Sequence, residues 1–153
     1  MPFSPLCQMN GGCMGCCGRN FGSPEQIKEA ITKSTAEFTH AHPQKRTEFL
    51  HFRDRYHVDN LNHGVCRNLI EEKGCFLCPL HPARHKEDLR IGHCDVNHLC
   101  ATAKEFATWH IRKQDTFIDF IATKNLTNID YSLKMVKGEL LKEFMEGREQ
   151  FPS

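Results

Sequence analysis

The sequence contains no apolar run near the roughly 18 residues that a membrane span requires. A helical membrane protein is therefore not expected. It also lacks an excess of either charge: 20 lysines and arginines stand against 19 aspartates and glutamates, for a net charge of +1. That balance gives no electrostatic reason for nucleic acid or an anionic membrane to be the main partner. Glycine and proline are not elevated, and there is no low-complexity tract or repeat of solenoid period. The first residues, Met1 to Cys7, have neither a basic stretch nor an apolar one. They do not resemble a secretory signal, and a cytoplasmic location is the expectation. A length of 153 residues suits one domain with a real core. The expected arrangement is a single domain, 1–153.

What the sequence does have is cysteine. Nine cysteines and ten histidines are present, and an odd number cannot all be paired in disulfides. Cytosolic thiols are kept reduced, so dense cysteines there point to metal binding or redox chemistry. Cys7, Cys13, Cys16 and Cys17 crowd a Gly-rich N-terminal stretch, while Cys66, Cys75, Cys78, Cys94 and Cys100 form a looser second group. This pattern predicts Cys-rich loops, 7–22 and 63–95, mounted on a helical scaffold, 23–58 and 96–149.

The scaffold has recognisable helix signals. Ser23-Pro24-Glu25-Gln26 is a capping-box start. Ile27, Ile31, Ser34 and Phe38 follow at helical spacing. A second helix is expected from near Pro43, with Phe49, Phe52 and Tyr56 on one side. A long one is expected over about 96–123, carrying Leu99, Ala103, Phe106, Ile111, Phe117, Ile118 and Ile121. A last helix opens at Thr127 and carries Leu133, Val136, Leu140 and Phe144, with Gly138 inside it at a cost of about 1 kcal/mol. Strand signals are weak, and 64–95 reads as irregular backbone. The expected fold class is mainly α, about four helices with irregular Cys-rich loops.

Cys13-Met14-Gly15-Cys16 and Cys75-Phe76-Leu77-Cys78 are both C-x-x-C pairs, a spacing that lets two sulfurs reach one metal ion. Spacing alone does not separate zinc from an iron–sulfur cluster. Zinc accepts mixed thiolate and imidazole sets, and His63, His81, His85, His93 and His98 lie near the second group. A cluster prefers four thiolates, and the ferredoxin run is absent; so is C-x-x-C-H, which disfavours covalent haem. The expected metal ligands are Cys7, Cys13, Cys16, Cys17, Cys66, Cys75, Cys78, His85 and Cys94. Cys100, beside Leu99 and Ala103, reads as a bystander, and His40, His42, His51, His57 and His110 as surface residues.

The stretch Asn10-Gly11-Gly12-Cys13-Met14-Gly15-Cys16-Cys17 resembles the start of the zinc- or iron-chelating CxxCxxCC proteins. Cys66, Leu69, Gly74 and Cys75 follow the order of that family's later motif. Beyond them, Cys78 replaces its aromatic, His81 its arginine and His85 its last cysteine, while Pro82 is retained. Asn10 stands at the first cysteine position, with Cys7 nearby as a substitute. The likeness covers roughly 10–17 and 66–85 and implies metal chelation.

The expected function is metal binding, of zinc or an iron–sulfur cluster, without a defined reaction. No unique nucleophile, nucleophile elbow or phosphate-binding glycine loop is present, so the sequence does not support an enzyme. The alternatives are a thiol-redox or sensing protein that cycles its C-x-x-C dithiols, and an adaptor stabilised by zinc whose helices bind another protein.

Overall fold

The computed structural model describes residues 4–150. The chain is mainly α-helical, with six α-helices, two short 3-10 segments and a two-stranded sheet among the described residues. None of these helices is long and apolar enough to cross a membrane. The contacts divide into two compact units. One is Cys17–His98; the other joins the N-terminal residues up to Cys16 to those from Leu99 onward. The boundary thus falls between the vicinal Cys16 and Cys17, a partition that hydropathy patterning does not signal.

The unit Cys17–His98 is built on helix α1 (Pro24–Ala41). Ser23 Oγ accepts from the Gln26 N–H at 3.2 Å, and Gln26 Oε1 accepts from the Ser23 N–H at 2.9 Å. These two bonds form the expected capping box. The helix buries Ile27, Ala30, Ile31 and Ser34 and packs against β1 (Ile70–Glu72). Thr35 Oγ1 accepts from the Glu71 N–H at 2.9 Å and fastens the strand to the helix. Strand β2 (Cys75–Leu77) pairs antiparallel with β1, with Glu72 opposite Cys75. Lys73 and Gly74 join them with φ of +52° and +79°, the left-handed pair of a two-residue hairpin turn. The expectation of irregular backbone throughout 64–95 is corrected here. Strands of three residues are too short for alternation to show in the sequence. Helix α2 (Arg46–Arg53) starts three residues after Pro43 and buries Phe52.

The second unit contains α3 (Ala101–Ala107), α4 (Ile111–Lys124), α5 (Asn128–Lys137) and α6 (Glu139–Gln150). Its core comprises Leu6, Phe106, Phe117, Ile121, Tyr131, Met135, Leu140 and Phe144. The count of about four helices is therefore too low, for two local reasons. The long periodic segment breaks at Thr108, where the backbone turns and Trp109 packs on Phe106, Phe117 and Phe144 at 6.0, 5.4 and 5.7 Å between centroids. His110 then caps α4, its Nδ1 accepting from the Arg112 N–H, and Ile111 remains 59% exposed rather than joining the stripe. The last helix breaks at Gly138, whose φ of +73° makes it the left-handed cap of α5. Tyr131 donates its hydroxyl to the Leu6 carbonyl, which pins the 3-10 segment Pro5–Gly11 against α5.

Candidate functional site

All nine cysteines are thiols, and the two units divide them. Cys17, Cys66, Cys75, Cys78 and Cys94 belong to one; Cys7, Cys13, Cys16 and Cys100 to the other.

In the unit Cys17–His98, the thiols of Cys66, Cys78 and Cys94 lie close enough that charge on one opposes charge on the others. Burial pushes Cys78 up to about 12, and the Leu80 amide donated to its sulfur works against that rise. Burial likewise raises Cys66, opposed by the Asn68 and Leu69 amides and by the Arg55 guanidinium. Burial and the Cys66 thiol raise Cys94, with Arg90 opposing. An amide two residues downstream pointing at the sulfur thus recurs at Cys66 and Cys78. Such a bond favours the thiolate over the thiol.

Side chains fix these loops. Asn68 is buried; its Oδ1 accepts from Arg55 Nη1 at 2.7 Å and its Nδ2 donates to the Arg53 carbonyl at 3.2 Å. Arg90, which faces Cys78 and Cys94, is gripped by Asp88 through two bonds of 2.8 Å. Those bonds hold the Asp88 carboxyl below the usual carboxylate range. Burial lowers both His81 and His93 from the ordinary histidine value, so each ring is neutral at neutral pH, the state in which imidazole ligates metal. His93 Nε2 lies 3.2 Å from Asn68 Nδ2, and His81 Nδ1 accepts from the Ala83 N–H at 3.0 Å.

Three of the expected ligands in this unit stand elsewhere. Cys75 is exposed at the start of β2, and Cys78 lies just past the end of that strand, so extended backbone separates the two cysteines of the second C-x-x-C. Cys17 is half-buried, and its carbonyl accepts the Cys66 N–H at 2.7 Å. His85 donates Nε2–H to the Pro79 carbonyl at 2.7 Å and stands edge-on to Phe49.

In the other unit, Cys7, Cys13 and Cys100 act on one another in the same way. Burial raises Cys7, and pushes Cys13 up to about 11 against hydrogen bonds from Gly15 and Ser132. The Gly15 N–H lies 3.4 Å from the Cys13 sulfur, the same downstream-amide arrangement. Gly15 is required there, because a Cβ would stand 2.2 Å from Val136 Cγ1. Cys16 is exposed. Cys100 caps α3 as its flanking residue and packs on the core. Packing on the core agrees with the expectation that Cys100 is a small apolar residue beside Leu99 and Ala103.

Among the described residues, no group of three or more histidine, cysteine, aspartate or glutamate side chains stands in a metal-holding arrangement. Comparison of the chain with family models, curated proteins and solved structures finds no match. The likeness to CxxCxxCC proteins therefore rests on the two stretches 10–17 and 66–85.

Proposed function

We propose that the protein binds metal through clustered cysteines, with zinc as the ion. The observation that carries this reading is the trio Cys66, Cys78 and Cys94, two of whose sulfurs receive backbone amides from two residues downstream. Zinc held by these thiols would be bound as a structural site, completed by a fourth donor such as neutral imidazole. A cluster normally takes four thiolates, whereas the thiols that act on one another electrostatically in this unit are three, Cys66, Cys78 and Cys94. The protein's own contribution is to orient the sulfurs, to shield Cys66 and Cys78 more than the exposed Cys94, and to stabilise thiolate through the amides and Arg90. Each ligating thiol surrenders its proton to solvent as the ion binds. The resemblance points the same way at Cys66, which matches a cysteine of its second motif, whereas Cys78 stands at that motif's aromatic position.

Thiol-redox chemistry is less well supported. Redox dithiols have depressed pKa values, whereas Cys13 and Cys78 are pushed up to about 11 and about 12. Metal analysis and an absorption spectrum of anaerobically purified protein test the proposal. The expected result is a colourless protein containing zinc, with the loss of at least one equivalent in C66S/C94S. Protein that is metal-free and takes up no zinc on reconstitution would overturn it. A broad visible thiolate-to-iron band would replace zinc by a cluster.

A further inference from the structure

We infer that residues 85–93 form a strap against α2, latched by Arg46 and Arg53. The strap opens as a unit while the rest of Cys17–His98 stays folded, and it opens more readily as ionic strength rises. Neither latch involves a thiol or a metal ion, so the device stands apart from the zinc reading.

The strap meets its unit along α2. At its start, His85 stands edge-on to Phe49, with ring centroids 4.6 Å apart. Glu87 then takes two bonds from the Arg46 guanidinium. Arg53 Nη1 donates to the Leu89 and Ile91 carbonyls at 3.2 and 3.0 Å. At its end, His93 Nε2 lies 3.2 Å from Asn68 Nδ2. Of the residues 85–93 only Leu89 is buried, and Ile91 is 62% exposed. The body of the unit, by contrast, is closed by Ile27, Ile31, Val65, Leu69, Ile70 and Leu80, each at most 2% exposed.

What holds the strap is mostly polar, and no charge is stranded when it lifts. The Arg46 and Glu87 side chains are 60% and 50% exposed, so water and counterions replace their pairing at small cost. Arg53 keeps Asp54, which takes two bonds from it at 2.8 and 2.9 Å. Asp88 and Arg90 are bonded to each other within the strap and travel with it. Gly92, at φ +93° with open space around it, supplies a hinge at the C-terminal end. Closure is favoured by burial of Leu89 and by the bond from its N–H to the Leu80 carbonyl at 3.2 Å. The open form is therefore a minor state reached by local unfolding, which few buried apolar contacts oppose. Salt screens the Arg46–Glu87 latch and leaves the apolar body intact.

The test is amide hydrogen-exchange protection of the full chain, read residue by residue by NMR in sodium chloride. It compares the native sequence with R46E, R46E/E87R and R53A. The Leu89 amide reports the strap, and the amides of Ile31 in α1 and Ile70 in β1 report the body. From about 0.01 M to about 1 M salt the screening length falls from about 30 Å to about 3 Å. Over that range protection at Leu89 should fall at least twofold in the native chain, with Ile31 and Ile70 unmoved. R46E sets two carboxylates against each other, so at low salt it should lower protection at Leu89 at least threefold, an excess that salt removes. R46E/E87R should restore the native value. R53A should lower it at least tenfold, because the Leu89 and Ile91 carbonyls lose their donor. Protection that falls equally at Leu89, Ile31 and Ile70 overturns the inference, since the strap then opens only with the whole unit. So does native protection at Leu89 that ignores salt, or native-like protection in both R46E and R53A. Should R53A fail to fold, the reversal decides: recovery in R46E/E87R supports the strap, and its absence overturns it.

Discussion

From Leu99 onward, Phe106, Trp109, Phe117, Phe120 and Phe144 stand ring against ring, with centroids between 4.9 and 6.2 Å apart. In Cys17–His98, by contrast, much of the chain beyond α1 is loop, and arginines hold it. Arg53 donates to the Leu89 and Ile91 carbonyls at 3.2 and 3.0 Å. Arg55 donates to the Phe52 carbonyl at 2.9 Å and to the Arg67 carbonyl, and pairs with Glu37 at 2.8 Å. Arg67 reaches the Asn60 carbonyl at 2.8 Å. Both units bury apolar side chains, but in one the aromatic rings dominate, while in Cys17–His98 directional bonds to loop carbonyls supplement a core that includes Ile27, Ile31, Phe52, Val65, Leu69, Ile70 and Leu80. In Cys17–His98 the thiols of Cys66, Cys78 and Cys94 all lie outside the helices and strands.

The harshest way to break the comparison is to test the proposed zinc site with a chelator. If Cys66, Cys78 and Cys94 hold zinc as proposed, exhaustive chelation should abolish amide-exchange protection across the loop 78–98, while α4, α5 and α6 keep theirs, because none of these three thiols belongs to their unit. Hydrogen exchange followed by mass spectrometry reads both regions in one experiment. Equal protection of the loop with and without chelator would show that arginine bonds alone order it.

Phe117→Ala attacks the other side. Phe117 is fully buried and touches Phe106, Trp109, Phe120 and Phe144. Its truncation should cost about 3–5 kcal/mol, read as a lowered denaturation midpoint followed by tryptophan fluorescence, since Trp109 is the single tryptophan. A change below about 1 kcal/mol would mean that the aromatic cluster does not carry this unit.

Alkaline pH sharpens the comparison in the metal-free protein. Burial raises Cys13 from 9.0 to about 11 and Cys78 from 9.0 to about 12. Above pH 9 the unfolded chain loses these protons while the native state keeps them, so the unfolded state binds fewer protons and stability falls as pH rises. Each thiol contributes a loss of about 1.4 kcal/mol per pH unit. The contribution of Cys13 ends near pH 11, whereas that of Cys78 continues to about pH 12. Thermal melts of C13S and C78S between pH 8 and 10.5 should each show a shallower decline than the native chain. Parallel declines in all three would remove buried thiols as the cause.

Two helix starts were legible because caps are local: Ser23 and Gln26 make both bonds of a capping box, and Thr127 Oγ1 accepts from the Asp130 N–H. The mainly α class followed from periodicity, while the helix expected from about 96 begins only at Ala101. Interruptions were not legible. Thr108 and Trp109 break a stripe that remains periodic on paper, because packing of the indole decides the turn. The candidate site divides the same way. Cysteine density marked the thiols, but where each one lies depends on hydrogen bonds to α5 and on the loops around Asn68, contacts between residues far apart in sequence. Of the two C-x-x-C pairs, Cys13 has the amide of the intervening Gly15 at its sulfur, whereas Cys75 lies on a strand. Identical spacing led to different geometry.

Gly138→Ala gives the smallest effect, but its sign is decisive for how the aromatic unit is assembled. Within one continuous helix, as the periodicity from Leu133 to Phe144 suggests, replacing glycine by alanine would stabilise by about 1 kcal/mol. In the structure Gly138 adopts φ +73° and its N–H caps α5 by donating to the Lys134 and Met135 carbonyls. An alanine there must hold a left-handed conformation that costs it roughly 1–2 kcal/mol. Space is not the obstacle, since an added Cβ would meet no atom within 4 Å; the backbone alone is tested. Destabilisation of about 1 kcal/mol by urea denaturation therefore supports two helices folded back at Gly138. Stabilisation would restore a single helix, and with it a different route for Leu140 and Phe144 into the core.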